Sequence, residues 1–198
     1  MGDTTVRRSY TEIADLYIRL FGDVSSVDPE DLRFLERNFG GCGGVVLDVG
    51  CGPGHLTAFL VDLGVTAHGI DLVPAFIDYA RANRPEITYE VGSMSTLDVP
   101  DGSVSGILAW YSLIHCEPTE LSAVLAEFRR MLSQGGMLVV GFFEGEGSFA
   151  HKVTTAFRWQ VDDMSATLHV AGFAEADRLH RPATDTTRPH AALAARAK

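Results

Sequence analysis

The chain has 198 residues, 46% of them hydrophobic and 21% charged, with a formal net charge of −10. That balance suits a single globular domain able to bury its own core without a disulfide or a structural metal. The acidity, with no basic patch beyond two Arg-Arg pairs, argues against nucleic acid as a partner, and the longest apolar runs are far too short to cross a membrane.

The first residues, 1–5, lack the charged-then-apolar layout of a secretion signal, so a cytoplasmic location is expected. A helix is predicted from Ser9 to Phe21, with Tyr10, Ile13, Tyr17 and Leu20 on one stripe. A second should start with Asp28 as N-cap and Pro29 in the first helical position, with Asp31 placed as a capping partner. It should end near Phe39, where the run Gly40 to Gly44 breaks it. Short apolar runs then alternate with helical ones. Strands are predicted at 45–49, 66–70, 87–91, 105–111 and 137–143, and helices at 56–63, 74–82 and 118–132. A loop from Glu144 to Gln160 follows, then a helix over 162–171. The strand-like runs 174–180 and 190–197 come last, joined without a helix. The pattern predicts a mostly parallel α/β sheet of seven strands, covered by helices on both faces, with an antiparallel hairpin at the C-terminal edge. Cys42, Cys51 and Cys116 are odd in number and show no C-x-x-C spacing. The seven histidines show no paired ligand spacing, and no metal site is expected.

The most informative stretch runs Asp48-Val49-Gly50-Cys51-Gly52-Pro53-Gly54-His55. A buried strand enters a glycine turn that opens a helix. Such a turn takes positive φ and lets a ligand approach closely. Nineteen residues after Gly52, the next strand ends at Asp71-Leu72, where a carboxylate can accept hydrogen bonds from both ribose hydroxyls. The pair implies a nucleoside cofactor. A dinucleotide is disfavoured, because G-x-G-x-x-G counted from Gly50 would need a small residue at His55.

The D-x-G-x-G-x-G run from Asp48 to Gly54 resembles the first motif of the class I S-adenosylmethionine-dependent methyltransferases, small-molecule type. Asp71 resembles their ribose-binding position. Gly92-Ser93-Met94, and the turn Pro100 to Ser103, look like the adenine-side segment of that family. Leu132 to Gly136 is similar to its L-x-P-G-G segment, with Gln134 in place of Pro. Ser93 departs from the family's usual Asp there; its hydroxyl, or the Met94 backbone, would meet the adenine.

The resemblance implies one Rossmann-like domain over 1–198, with 1–40 as a helical lid and 45–198 as the core. It implies S-adenosylmethionine as cofactor, S-adenosylhomocysteine as product, and a methyl transfer to a small molecule by a monomer or homodimer. A regulatory or scaffold protein that binds the cofactor without transferring its methyl is the alternative. Tyr17, Asp48, Gly50, Cys51, Gly52, Asp71, Leu72, Ser93, Met94 and Trp110 are the expected cofactor contacts. For Asp48, a role in ordering the turn weighs equally with one toward the methionine ammonium. The segment Trp110 to Cys116 would lie beside the reacting methyl group, making His115 the candidate general base, with plain packing as its alternative. Tyr10, Tyr111, Arg158 and Trp159 are the expected acceptor contacts. Arg158, with Lys152, would suit an anionic acceptor unless both are simply solvated.

Overall fold

The computed structural model describes residues 3–185 and 187–198. Three helices open the chain: α1 (Asp3–Glu12), α2 (Ala14–Phe21) and α3 (Pro29–Phe39). The core alternates β1 (Val46–Val49), α4 (His55–Asp62), β2 (Ala67–Asp71), α5 (Pro74–Asn83), β3 (Tyr89–Val91), β4 (Val104–Trp110), α6 (Pro118–Met131) and β5 (Leu132–Phe143). A small hairpin, β6 (Ser148–Ala150) with β7 (Thr155–Phe157), precedes α7 (Val161–Val170), β8 (Phe173–Arg181) and β9 (His190–Ala197).

The main sheet has seven strands in the order β3-β2-β1-β4-β5-β9-β8. β1 to β5 pair in parallel, while β9 runs antiparallel to both β5 and β8. Alternation along the strands fills two layers. Ile107, Ala109, Leu138 and Val140 join Leu125, Phe128 and Met131 of α6 on one face. Leu108 and Val139 meet Phe34, Phe39 and Leu60 on the other. Among the described residues, no helix is long and apolar enough to cross a membrane, and no group of three His, Cys, Asp or Glu side chains is placed to hold a metal ion.

Four local expectations are revised. The helix predicted from Ser9 starts earlier and breaks at Ile13 (φ −115°, ψ 13°). No Gly or Pro causes the break. It lets Tyr10 and Tyr17 pack on each other and on Phe76, with ring centroids 5.5, 6.2 and 5.2 Å apart. Asp28 caps α3 through the Glu30 N–H (2.8 Å), but Asp31 turns to Arg181 Nη2 (2.7 Å) rather than back to the cap. Strand β5 begins at Leu132, opposite Val104. The register shifts before Met137, and Gly135 (φ 75°) lies within that irregularity. The loop predicted at 144–160 contains the β6–β7 hairpin.

Candidate functional site

The carboxyl ends of β1, β2 and β4 open onto a cleft. At its floor, the N–H groups of Gly50 and Cys51 both donate to the Ile70 carbonyl (2.7 and 3.0 Å), tying the turn to β2. Gly50, Gly52 and Gly54 have φ of 78°, 54° and 82°, a region that side chains with a Cβ rarely adopt. A Cβ on Gly50 would stand 2.3 Å from that of Ser112, and one on Gly54 would strike the Tyr89 ring at 2.8 Å. Gly52 differs: its nearest such neighbour is the Tyr17 ring, at 3.7 Å across the cleft. A Cβ there would make only an ordinary van der Waals contact.

Asp71 is buried beside this turn. Its Oδ2 accepts the Gly52 N–H (2.8 Å) and its Oδ1 the Val73 N–H (2.9 Å). Burial raises its pKa, and the backbone donors pull it back. Each carboxylate oxygen keeps acceptor capacity toward the cleft. Asp71 shares the cleft wall with Gly50, Gly52 and Met94. Asp48 lies beneath the turn, fully buried, accepting the Thr57 hydroxyl (2.6 Å); burial pushes its pKa up to about 7. It is not among the cleft-lining residues, and its contact ties the end of β1 to α4. Cys51 also faces inward, in a cluster with Ile77 and Tyr89, and burial pushes its thiol up.

The other end of the cleft gathers Tyr10, Trp110, Tyr111, Ser112 and His115. Tyr111 is the one non-glycine residue at positive φ (56°) among those described, a strained position. Its N–H donates to the Gly141 carbonyl (3.0 Å), and its ring packs on Phe143. Trp110 lies so close over Gly141 that a Cβ there would meet the indole at 2.8 Å. His115 ends a 3-10 turn and is buried. Its Nδ1 is 2.8 Å from the Thr155 carbonyl of β7, and its Nε2 is 3.0 Å from the Tyr10 hydroxyl. Burial lowers the imidazole pKa.

The cleft thus brings together Tyr10, Tyr17, Gly50, Gly52, Asp71, Leu72, Met94, Trp110, Tyr111 and His115. Ser93, Arg158 and Trp159 are not among its lining residues. The Ser93 hydroxyl accepts the Ser95 N–H (3.1 Å). Arg158 stacks over Phe149 (4.6 Å), while Trp159 packs against the core and bonds the Phe143 carbonyl (3.0 Å). Val6, Phe76 and Ser112 line the cleft without having been singled out. The Thr155 contact is made by backbone, so no side-chain pattern announces it.

The sheet order, the reversed β9 and the acidic residue ending β2 define a class I, Rossmann-like fold. Residues 46–136 match the methyltransferase domain family. That match takes in a little under half of the chain, and the whole chain has a fold similar to that of the class I S-adenosylmethionine-dependent methyltransferases. It is 34% identical to the malonyl-(acyl-carrier protein) O-methyltransferase of Yersinia pestis over 97 residues, which are 49% of this chain and 36% of that one. The match therefore spans about a third of that relative. Among solved structures, the fold is similar to the 1,6-didemethyltoxoflavin-N1-methyltransferase of Burkholderia thailandensis, crystallised with its substrate and S-adenosylhomocysteine. The TM-score is 0.80 at 20% identity, covering 98% of this chain and 88% of the other. It is also similar to the (4+2)-cyclase SpnF, with a TM-score of 0.81 at 16% identity, covering 100% of this chain and 97% of the other.

Proposed function

We propose that this protein binds S-adenosylmethionine and transfers its methyl group to a small-molecule acceptor. The observation that carries the reading is the buried Asp71 carboxylate, bonded to Gly52 N–H at the floor of a cleft that Tyr17 roofs. When bound, the cofactor supplies a methyl group on a positively charged sulfur. The chain's own residues bind and orient. Asp71 would hold the ribose hydroxyls, and Gly52 would let the backbone approach the methionine portion. Leu72 and Met94 would enclose the adenine. Helices α1 and α2, within a lid formed by residues 1–40, would exclude water through Tyr10, Tyr17 and Val6. His115 is the basic group nearest the acceptor end.

An anionic acceptor draws no support from the lining, which contains neither Arg158 nor Lys152. A cofactor-binding protein that does not transfer the methyl remains a second reading, favoured by the cyclase name of one close structural neighbour. Isothermal titration tests binding: S-adenosylhomocysteine should bind and NAD should not. Incubation with methyl-labelled cofactor and an acceptor panel then separates the two readings. Failure of the folded protein to bind S-adenosylhomocysteine would overturn both.

A further inference from the structure

We infer that His115 is held as a one-sided hydrogen-bond acceptor for an uncharged aromatic acceptor bearing an acidic proton, a phenol or ring N–H, which takes the place of the Tyr10 hydroxyl at Nε2. This rests on the transferase reading above. The Thr155 carbonyl can only accept, so the Nδ1 atom 2.8 Å away carries the imidazole proton. A neutral ring then presents its lone pair at Nε2. The Tyr10 hydroxyl, 3.0 Å from that atom, is therefore the donor. A phenol on the lid helix already makes the hydrogen bond that a phenolic acceptor would make.

The surroundings agree in charge and shape. The ring contacts of His115 are Tyr10 from α1 and His151 from the β6–β7 connection (5.7 and 5.6 Å), and burial lowers the His151 pKa as well. His115 and Ser112 line both the cleft and a second hollow along α6, with Val6, Leu72 and Met94 shared between the two. The buried Ser112 hydroxyl has no hydrogen-bond partner among the described residues and offers a second polar contact there. Tyr17, Phe76, Trp110 and Tyr111 give the cleft aromatic walls. No Lys or Arg lines either hollow among the described residues, whereas Asp71, Glu120 and Glu127 do. An anion would meet no cation there.

In the transfer, the acceptor's X–H bond breaks and its electron pair forms the X–methyl bond. The methyl–sulfur pair stays on sulfur, and the proton moves to Nε2 while Nδ1–H stays on Thr155. Tyr10 and Thr155 are positioning residues for this step, the one by yielding its place and the other by fixing the tautomer.

The test uses the full chain saturated with S-adenosylhomocysteine and 4-nitrophenol as probe, at a pH near the probe's own pKa. Wild-type protein should bind it as the neutral phenol and shift its spectrum away from the phenolate, and His115→Gln should reduce that shift. Tyr10→Phe, which removes the competing hydroxyl, should tighten probe binding about 2- to 10-fold, the worth of one hydrogen bond. Absence of probe binding, an unaltered shift in His115→Gln, or unaltered affinity in Tyr10→Phe would each overturn the proposal. Should a variant fail to fold, long-range proton–nitrogen correlation spectra of the wild type decide. An Nδ1–H tautomer for His115 is expected, and an Nε2–H tautomer or an imidazolium at neutral pH would overturn it. Loss of S-adenosylhomocysteine binding by the wild type would instead strike the transferase reading itself.

Discussion

At the Asp71 end of the cleft, the decisive contacts are short in sequence. Gly52 N–H reaches a carboxylate 19 residues away, and the turn bonds the backbone of the adjacent strand. At the His115 end, the partners lie 105 residues before, at Tyr10, and 40 residues after, at Thr155. One end is a backbone device fixed by glycines and a single acid. The other is assembled from groups on α1, a 3-10 turn and a hairpin. The first tolerates little change in any member, because its geometry depends on backbone contacts and left-handed glycines. The second can be altered piece by piece while the Asp71 end stays intact.

Substitutions should expose that asymmetry. The largest effect is expected at Gly54→Val, which combines a disfavoured φ of 82° with overlap onto Tyr89 and Ala80. Strain and overpacking together should cost about 2–6 kcal/mol, read as a lower urea midpoint. Asp48 should show itself through pH. Its folded pKa, about 7, lies above the ordinary 3.8, so between these values the native state holds a proton that the unfolded chain has lost. This group's contribution to stability therefore falls as pH rises through that window, by at most about 1.4 kcal/mol per unit. Asp48→Asn should flatten the slope of urea midpoint against pH. A residual slope of the same sign is expected from Asp31, raised to about 6 chiefly by burial. An unchanged slope would show that Asp48 is ionised in the fold.

Asp71→Asn should weaken S-adenosylhomocysteine binding by about 1.5–3 kcal/mol, the worth of hydrogen bonds to a charged acceptor. Titration calorimetry reads this, and an unaltered dissociation constant would remove Asp71 from the ribose. The smallest effect is expected at Arg158→Ala. Loss of its stacking on Phe149 should cost at most about 1 kcal/mol in thermal stability and leave cofactor affinity as it was. A large loss of cofactor affinity there would break the separation between the two ends.

The same asymmetry decided what could be read beforehand. The α/β alternation, the glycine turn and Asp71 were legible because local spacing encodes them: a period-two core face, a left-handed turn, an acid at a strand end. The break at Ile13 was not, since no Gly or Pro marks it; packing of two tyrosines on Phe76 overrides helix propensity there. Asp31 reads equally well as a capping partner, and only the return of β8 brings Arg181 beside it. The hairpin at 148–157 has strands of three residues each, too short to show a period. His115 could be nominated as a base from its residue type and place. Its tautomer could not, because a carbonyl 40 residues later sets it.

The reversed last strand has a practical consequence. β9 pairs Phe143 with His190 but Met137 with Arg196, so it leads away from the cleft and ends beside the opposite edge of β5. Its eight residues carry the chain about 25 Å, and Lys198 then bonds the Gly172 carbonyl. Val6 and Tyr10 of α1, by contrast, form part of the cleft wall. A fluorophore or surface tether attached after Lys198 therefore leaves the mouth facing solution, whereas a bulky group fused ahead of α1 is delivered close to that wall.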